Sequence, residues 1–93
     1  MPVGLLTLEL HIADAQSLKD KRQVLRSLKD KLRFKFNVAV AELDHQDVWQ
    51  RSVVGIVTLS TEEKYVREVL QKALDEADEI LGSMLINQAI EIV

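Results

Sequence analysis

Four basic side chains recur at Arg22, Arg26, Lys29 and Arg33, spaced four, three and four residues apart. On a helix that turns 100° per residue this spacing gathers them into one narrow row. The chemistry such a row suits is the binding of phosphate oxygens by guanidinium and ammonium groups. With Lys19 ahead of it, the row gives the candidate nucleic-acid-binding set Lys19, Arg22, Arg26, Lys29 and Arg33. Like charges at this spacing repel by about a few tenths of a kcal/mol per pair, so an anionic partner is one reason to keep them. The plainer alternative is a solvated face that pairs with the outward acids of a second helix, Glu68, Asp75, Asp78 and Glu79, where exposed pairs contribute little.

Other residues with chemical capability are more scattered. His11 and His45 are separated by a helix and a strand and lack any helical or hairpin ligand spacing. Glu42, Asp44, His45 and Asp47 cluster, and oxygen ligands there suit Mg²⁺ or Mn²⁺, but a polar hairpin turn explains the same residues more simply. No metal or cofactor is expected. Gly-rich phosphate loops, G-x-S-x-G elbows and paired-carboxylate motifs do not occur, which points away from an enzyme. The chain has no cysteine, which excludes disulfides, thiolate metal sites and nucleophilic thiols. Phe34 falls on the polar side of the helical wheel, where an exposed ring beside arginines would stack on a base. The simpler expectation is that the helix ends before Phe34 and the ring folds under the following loop.

The elements that must position these groups are legible from apolar periodicity. Residues 3–12 alternate, with Leu6, Leu8, Leu10 and Ile12 on one face, and predict a half-buried first strand. Ser17 with Asp20 three residues on predicts an N-cap, and Leu18, Leu25, Leu28, Leu32 and Phe36 continue an inward stripe through about Lys35. Lys21 falls inside that stripe, where its stem is expected to pack while its ammonium snorkels out. Residues 37–43 predict a second strand, and residues 51–59 a central strand covered on both sides, with Gly55 marking a bulge or a close neighbour. Ser60 and Glu63 predict a capping box opening a helix over 61–81, Gly82 a helix end, and residues 84–93 a last strand.

The order βαββαβ predicts one domain over residues 1–93 of the α+β class, ferredoxin-like, with an antiparallel sheet in the order 4-1-3-2 and both helices on one face. The core must be aliphatic, because Phe34, Phe36, Trp49 and Tyr65 are the only aromatic residues. An open sheet face without aromatics on its central strands does not resemble a usual RNA-recognition sheet and suits a protein contact or a homodimer instead. Charge is segregated: the first helix holds eight of the twelve basic residues against two acids, while the rest of the chain holds four against thirteen. No apolar run approaches the roughly 20 residues of a membrane span, and the residues after Met1 lack a charged leader, so a cytoplasmic setting without a membrane partner is expected.

The segments Ser17-Leu18-Lys19-Asp20-Lys21-Arg22, Lys35-Phe36-Asn37-Val38-Ala39-Val40-Ala41-Glu42 and Asp47-Val48-Trp49-Gln50-Arg51 resemble the YlxP-like family of small bacterial proteins, along nearly the whole chain. The resemblance implies a ferredoxin-like fold. It also implies a link to RNA or the ribosome, since genes of that family often lie beside those for translation initiation factor two and ribosome-binding factor A. No catalytic residues carry over. The expectation is a non-enzymatic accessory protein contacting ribosomal RNA or a ribosomal particle through Lys19, Arg22, Arg26, Lys29 and Arg33, with a protein-interaction module or homodimer through the open sheet face or an edge strand as the alternative.

Overall fold

The computed structural model describes residues 1–93. Strand β1 (Val3–His11) buries alternate side chains, with Leu6, Leu8 and Leu10 fully enclosed and Leu5, Thr7 and Glu9 half-buried on the other face. Helix α1 (Leu18–Lys35) begins at Ser17, whose Oγ accepts the Asp20 N–H at 3.1 Å, while the Asp20 carboxylate accepts the Gln16 N–H at 3.0 Å. Donors left over in the first turn are thus satisfied from both directions. Strands β2 (Ala39–Asp44) and β3 (Arg51–Leu59), helix α2 (Glu63–Leu81), a 3-10 turn at Gly82–Met84 and strand β4 (Leu85–Ile92) complete the chain.

All strand pairs are antiparallel and the sheet runs β2-β3-β1-β4, the expected order viewed from the opposite edge. Both helices cover the face that carries Leu6, Leu8, Leu10, Val54 and Ile56. Helix α1 adds Leu28 and Leu32 to this core, and α2 adds Val66, Leu70, Ala73, Ala77 and Leu81. Each fully buried leucine or valine stabilises by roughly 1.5 to 3 kcal/mol. The result is a ferredoxin-like fold with the second sheet face open.

Gly55 has the close neighbour its position suggests, whereas the bulge lies on β2 at Leu43 and not at Gly55, which pairs regularly with Ala41 and Thr7. A Cβ there would stand 2.7 Å from Leu43 Cδ1, and the β2–β3 register slips between Glu42 and Asp44. Gly82 closes α2 at φ +55, a left-handed backbone that carries no steric penalty without a Cβ.

Several boundaries differ from the sequence expectations. The capping box at Ser60 does not form: Glu62 is the N-cap of α2 and its side chain makes no cap hydrogen bond. The Ser60 N–H donates instead to the Pro2 carbonyl at 3.3 Å, which holds Ser60 at the sheet and delays the helix to Glu63. Strand β3 is covered on one face only, its outer residues Val57 and Leu59 being 36% and 56% exposed. Its unbroken apolar run therefore records an apolar open face, not burial on both sides. Helix α1 continues past Phe34 and stops at Phe36, which turns extended (φ −133, ψ 151) while its N–H still bonds the Leu32 carbonyl. Phe34 consequently stays on the outer surface, 92% exposed, instead of folding under the loop.

Candidate functional site

Helix α1 has two flanks beside its buried stripe, and they meet different neighbours. The flank carrying the basic row borders β2, where Arg26 and Lys29 line a groove of about 170 Å³ with Leu25, Val40, Ala41 and Glu42. The other flank faces α2, where Lys31 and Lys35 line an open cleft of about 770 Å³ with Phe34, Glu76, Glu79 and Ile80. Lys35 Nζ there meets Glu76 Oε2 at 2.9 Å. The apolar stripe lies between these flanks, so the acidic helix stands on the far side of α1 from the row.

Lys19, Arg22, Arg26, Lys29 and Arg33 are all exposed. None of them takes part in a salt bridge; the ion pairs of the molecule are Lys21–Glu42, Lys35–Glu76, Arg51–Glu9 and Arg67–Glu63. From Arg22 to Arg33 the row extends about 16 Å at 1.5 Å per residue. Fold geometry thus keeps these cations together and across the stripe from the acids of α2, while Glu42, which shares the groove of Arg26 and Lys29, is paired with Lys21.

Lys21 departs from its expected behaviour. Its side chain is 1% exposed, and the ammonium points inward instead of snorkelling out. Nζ donates to Glu42 Oε2 at 2.8 Å and to the His45 carbonyl at 2.6 Å, with longer contacts of 3.3 Å to the Gln46 and Arg51 carbonyls. An ammonium has only three N–H groups, so the two longer contacts share one of them. Ser52 Oγ donates to the same Glu42 oxygen at 2.6 Å. The inward turn has a physical cause: a half-buried carboxylate and the carbonyls of a tight loop together replace the water the ammonium gives up.

This network fixes the connection between β2 and β3. The Val48 N–H closes a turn on the His45 carbonyl at 3.0 Å, and His45 itself is left-handed at φ 64. Gln50 Nε2 donates to the Ala13 and Ala15 carbonyls at 3.1 and 3.3 Å, and the Gln50 carbonyl accepts the Ile12 N–H at 2.8 Å. The loop is tied at both ends to the segment that starts α1. On its outside it displays Val48 and Trp49, 42% and 51% exposed.

The acidic cluster at the end of β2 is spent on this architecture. Glu42 serves Lys21 and Ser52, and Asp44 Oδ1 accepts the His45 N–H at 2.7 Å. No three His, Asp or Glu side chains converge as metal ligands. Sequence reasoning missed the buried Lys21–Glu42–Ser52 network. Its signal was present in the strand parity, because Glu42 shares its face with Val40, and Ser52 shares its face with Val54 and Ile56.

A family model described as a protein of unknown function (DUF503) matches residues 3–89. The chain is 39% identical over 72 residues to the uncharacterized protein YlxP of Bacillus subtilis (strain 168), covering 77% of this chain and 78% of that protein. Among solved structures it is similar to Rv0793 from Mycobacterium tuberculosis, with a TM-score of 0.59 at 13% identity over 100% of this chain and 93% of the other. It is also similar to SnoaB, a cofactor-independent oxygenase from Streptomyces nogalater, with a TM-score of 0.58 at 12% identity over 99% and 90% of the two chains. At such identities the likeness to the solved structures is one of fold. No helix is long and apolar enough to cross a membrane.

Proposed function

The chain belongs to the DUF503 family, whose function is unknown, and on its own geometry we propose that it is a non-enzymatic accessory protein that contacts RNA on ribosomal particles through α1. The observation that carries this reading is the row Arg22, Arg26, Lys29 and Arg33, with Lys19, exposed and without a single acidic partner on a protein of net charge −3. Neutralising phosphates releases condensed counterions, and each such contact adds affinity that falls as salt rises. Contacts to phosphate carry no sequence information, so the row positions the protein on RNA without selecting bases. The test is co-sedimentation of the protein with ribosomal particles on sucrose gradients at low salt. Reversal of Arg22, Arg26 and Arg33 to Glu should release the protein from the particle fractions. Undiminished co-sedimentation of that variant would refute the reading.

A second reading, a homodimer, draws on the open sheet face. Leu5, Ala39, Ala41, Leu43 and Val57 line an apolar depression there, with Leu43 seated over Gly55. Two such faces would bury each other without help from charge, so dimerisation would persist at high salt. Sedimentation equilibrium at high salt tests it. A dimer that Val57→Glu converts to monomer supports the second reading, and a monomer at all concentrations removes it.

A further inference from the structure

We propose that Trp49 is a base-stacking platform, so that the RNA held by α1 is single-stranded at the point where it passes the β2–β3 loop. The inference rests on the phosphate-binding reading of the basic row and names its substrate class.

Three observations converge on it. The indole is 51% exposed on a chain that is poor in aromatics and buries its core almost wholly with aliphatic side chains. The loop that carries the ring is held still: Lys21 ties the His45, Gln46 and Arg51 carbonyls, and Gln50 ties Ala13 and Ala15. A flexible loop would lose entropy on stacking, whereas this one presents its ring in place. Position is the third point. Lys21 and the Gln50 contacts fasten the loop to the first turn of α1, where Lys19 and Arg22 begin the row.

The geometry joins two kinds of recognition. Cations along α1 take phosphates, and the exposed ring on the loop fastened to the first turn of α1 takes the face of one base. A base inside a duplex is already stacked on both faces and cannot occupy the site without leaving its partner. Discrimination between single and double strands would thus arise at Trp49, while the row alone treats both alike.

Trp49 is the sole tryptophan of the chain, so tryptophan emission, excited beyond the absorption of Tyr65, reports on this site alone. The experiment titrates the full chain at low salt with three anions: a uridine 12-mer, a fully paired RNA duplex of similar phosphate number, and inorganic polyphosphate. Binding is read in parallel by competition and by tryptophan emission. The expected result is quenching by the 12-mer and salt-sensitive binding of the other two without quenching. Trp49→Ala should lower affinity for the 12-mer by about 5- to 100-fold, leave duplex binding unchanged, and be largely rescued by Trp49→Phe. If the 12-mer binds without quenching and Trp49→Ala binds it equally well, the stacking site is wrong while the basic row stands, and Trp49 becomes a candidate contact for a protein. If none of the three anions binds, the reading of the row itself fails and the stacking site falls with it.

Discussion

The two helices lie on the same face of the same sheet, yet their sequences answer to different demands. Helix α2 has an inner stripe made wholly of Val66, Leu70, Ala73, Ala77 and Leu81 and an acidic outer face. Helix α1 has a lysine inside its stripe, and outside it carries a row of cations that take part in no salt bridge, with Lys35 alone pairing across to Glu76 of α2. Packing accounts for the inner stripe of α2. It accounts for only part of α1, whose remaining residues either hold a loop or stand on the surface. The difference is the ground on which the proposed function places the binding surface on α1 and on the loop it anchors.

That contrast is open to attack at several strengths. The apolar stripes of the two helices should behave alike, and each of Leu28→Ala and Leu70→Ala should destabilise by about 2 to 5 kcal/mol in urea or thermal unfolding, since both side chains are fully buried. Melting unchanged from wild type in either variant would mean that its helix does not form the core described. Phe36→Ala should fall at the lower end of this range, the ring being only partly buried against the core.

Lys21→Met comes next, with an expected loss of about 3 kcal/mol. Removing one partner of a buried ion pair typically costs about 3 to 5 kcal/mol, and Glu42 retains some water and its bond from Ser52. The same variant should free the β2–β3 loop, raising its susceptibility to limited proteolysis near Trp49. Full stability together with an uncut loop would show that Lys21 is a passenger in the stripe.

Smaller still is the expected effect of reversing Arg22, Arg26 and Arg33 to Glu on folding. The row takes part in no salt bridge, so each reversal should shift unfolding by no more than about 0.5 kcal/mol, while RNA binding is expected to be lost. A severe loss of stability would place these side chains in the scaffold after all. Lys72→Glu on the exposed outer face of α2 should change neither stability nor RNA binding measurably, and serves as the charge control.

Most of the scaffold was legible because its signals are local and repeated. Alternating leucines in β1 and the 3.6-residue stripe of α1 each restate one face many times, and the Ser17 cap is announced by its own side chain. The row on α1 followed from the same arithmetic. What failed to show were features that depend on a partner distant in sequence. Lys21 turns inward because Glu42 and three loop carbonyls await it, and wheel arithmetic for α1 contains none of these. Ser60 has the chemistry of a cap, but the Pro2 carbonyl claims its N–H. Strand β3 reads as buried on both faces because an apolar open face and a covered one have the same composition.

The central claim, that the β2-side flank of α1 is a phosphate-binding surface, is tested most directly by the salt dependence of RNA binding. Affinity of the wild type for a single-stranded oligonucleotide is measured between 50 and 200 mM salt, beside the Arg22, Arg26 and Arg33 to Glu variant. With the four contacts of the row and Lys19, at about 0.7 per contact on single strands, log affinity should fall with log salt at a slope of about −3.5 for the wild type. For any binding the variant retains through Lys19 and Lys29, the slope should be no steeper than about −1.5. Equal slopes in the two proteins would contradict the account, because the cations of α1 would then release no counterions when RNA binds.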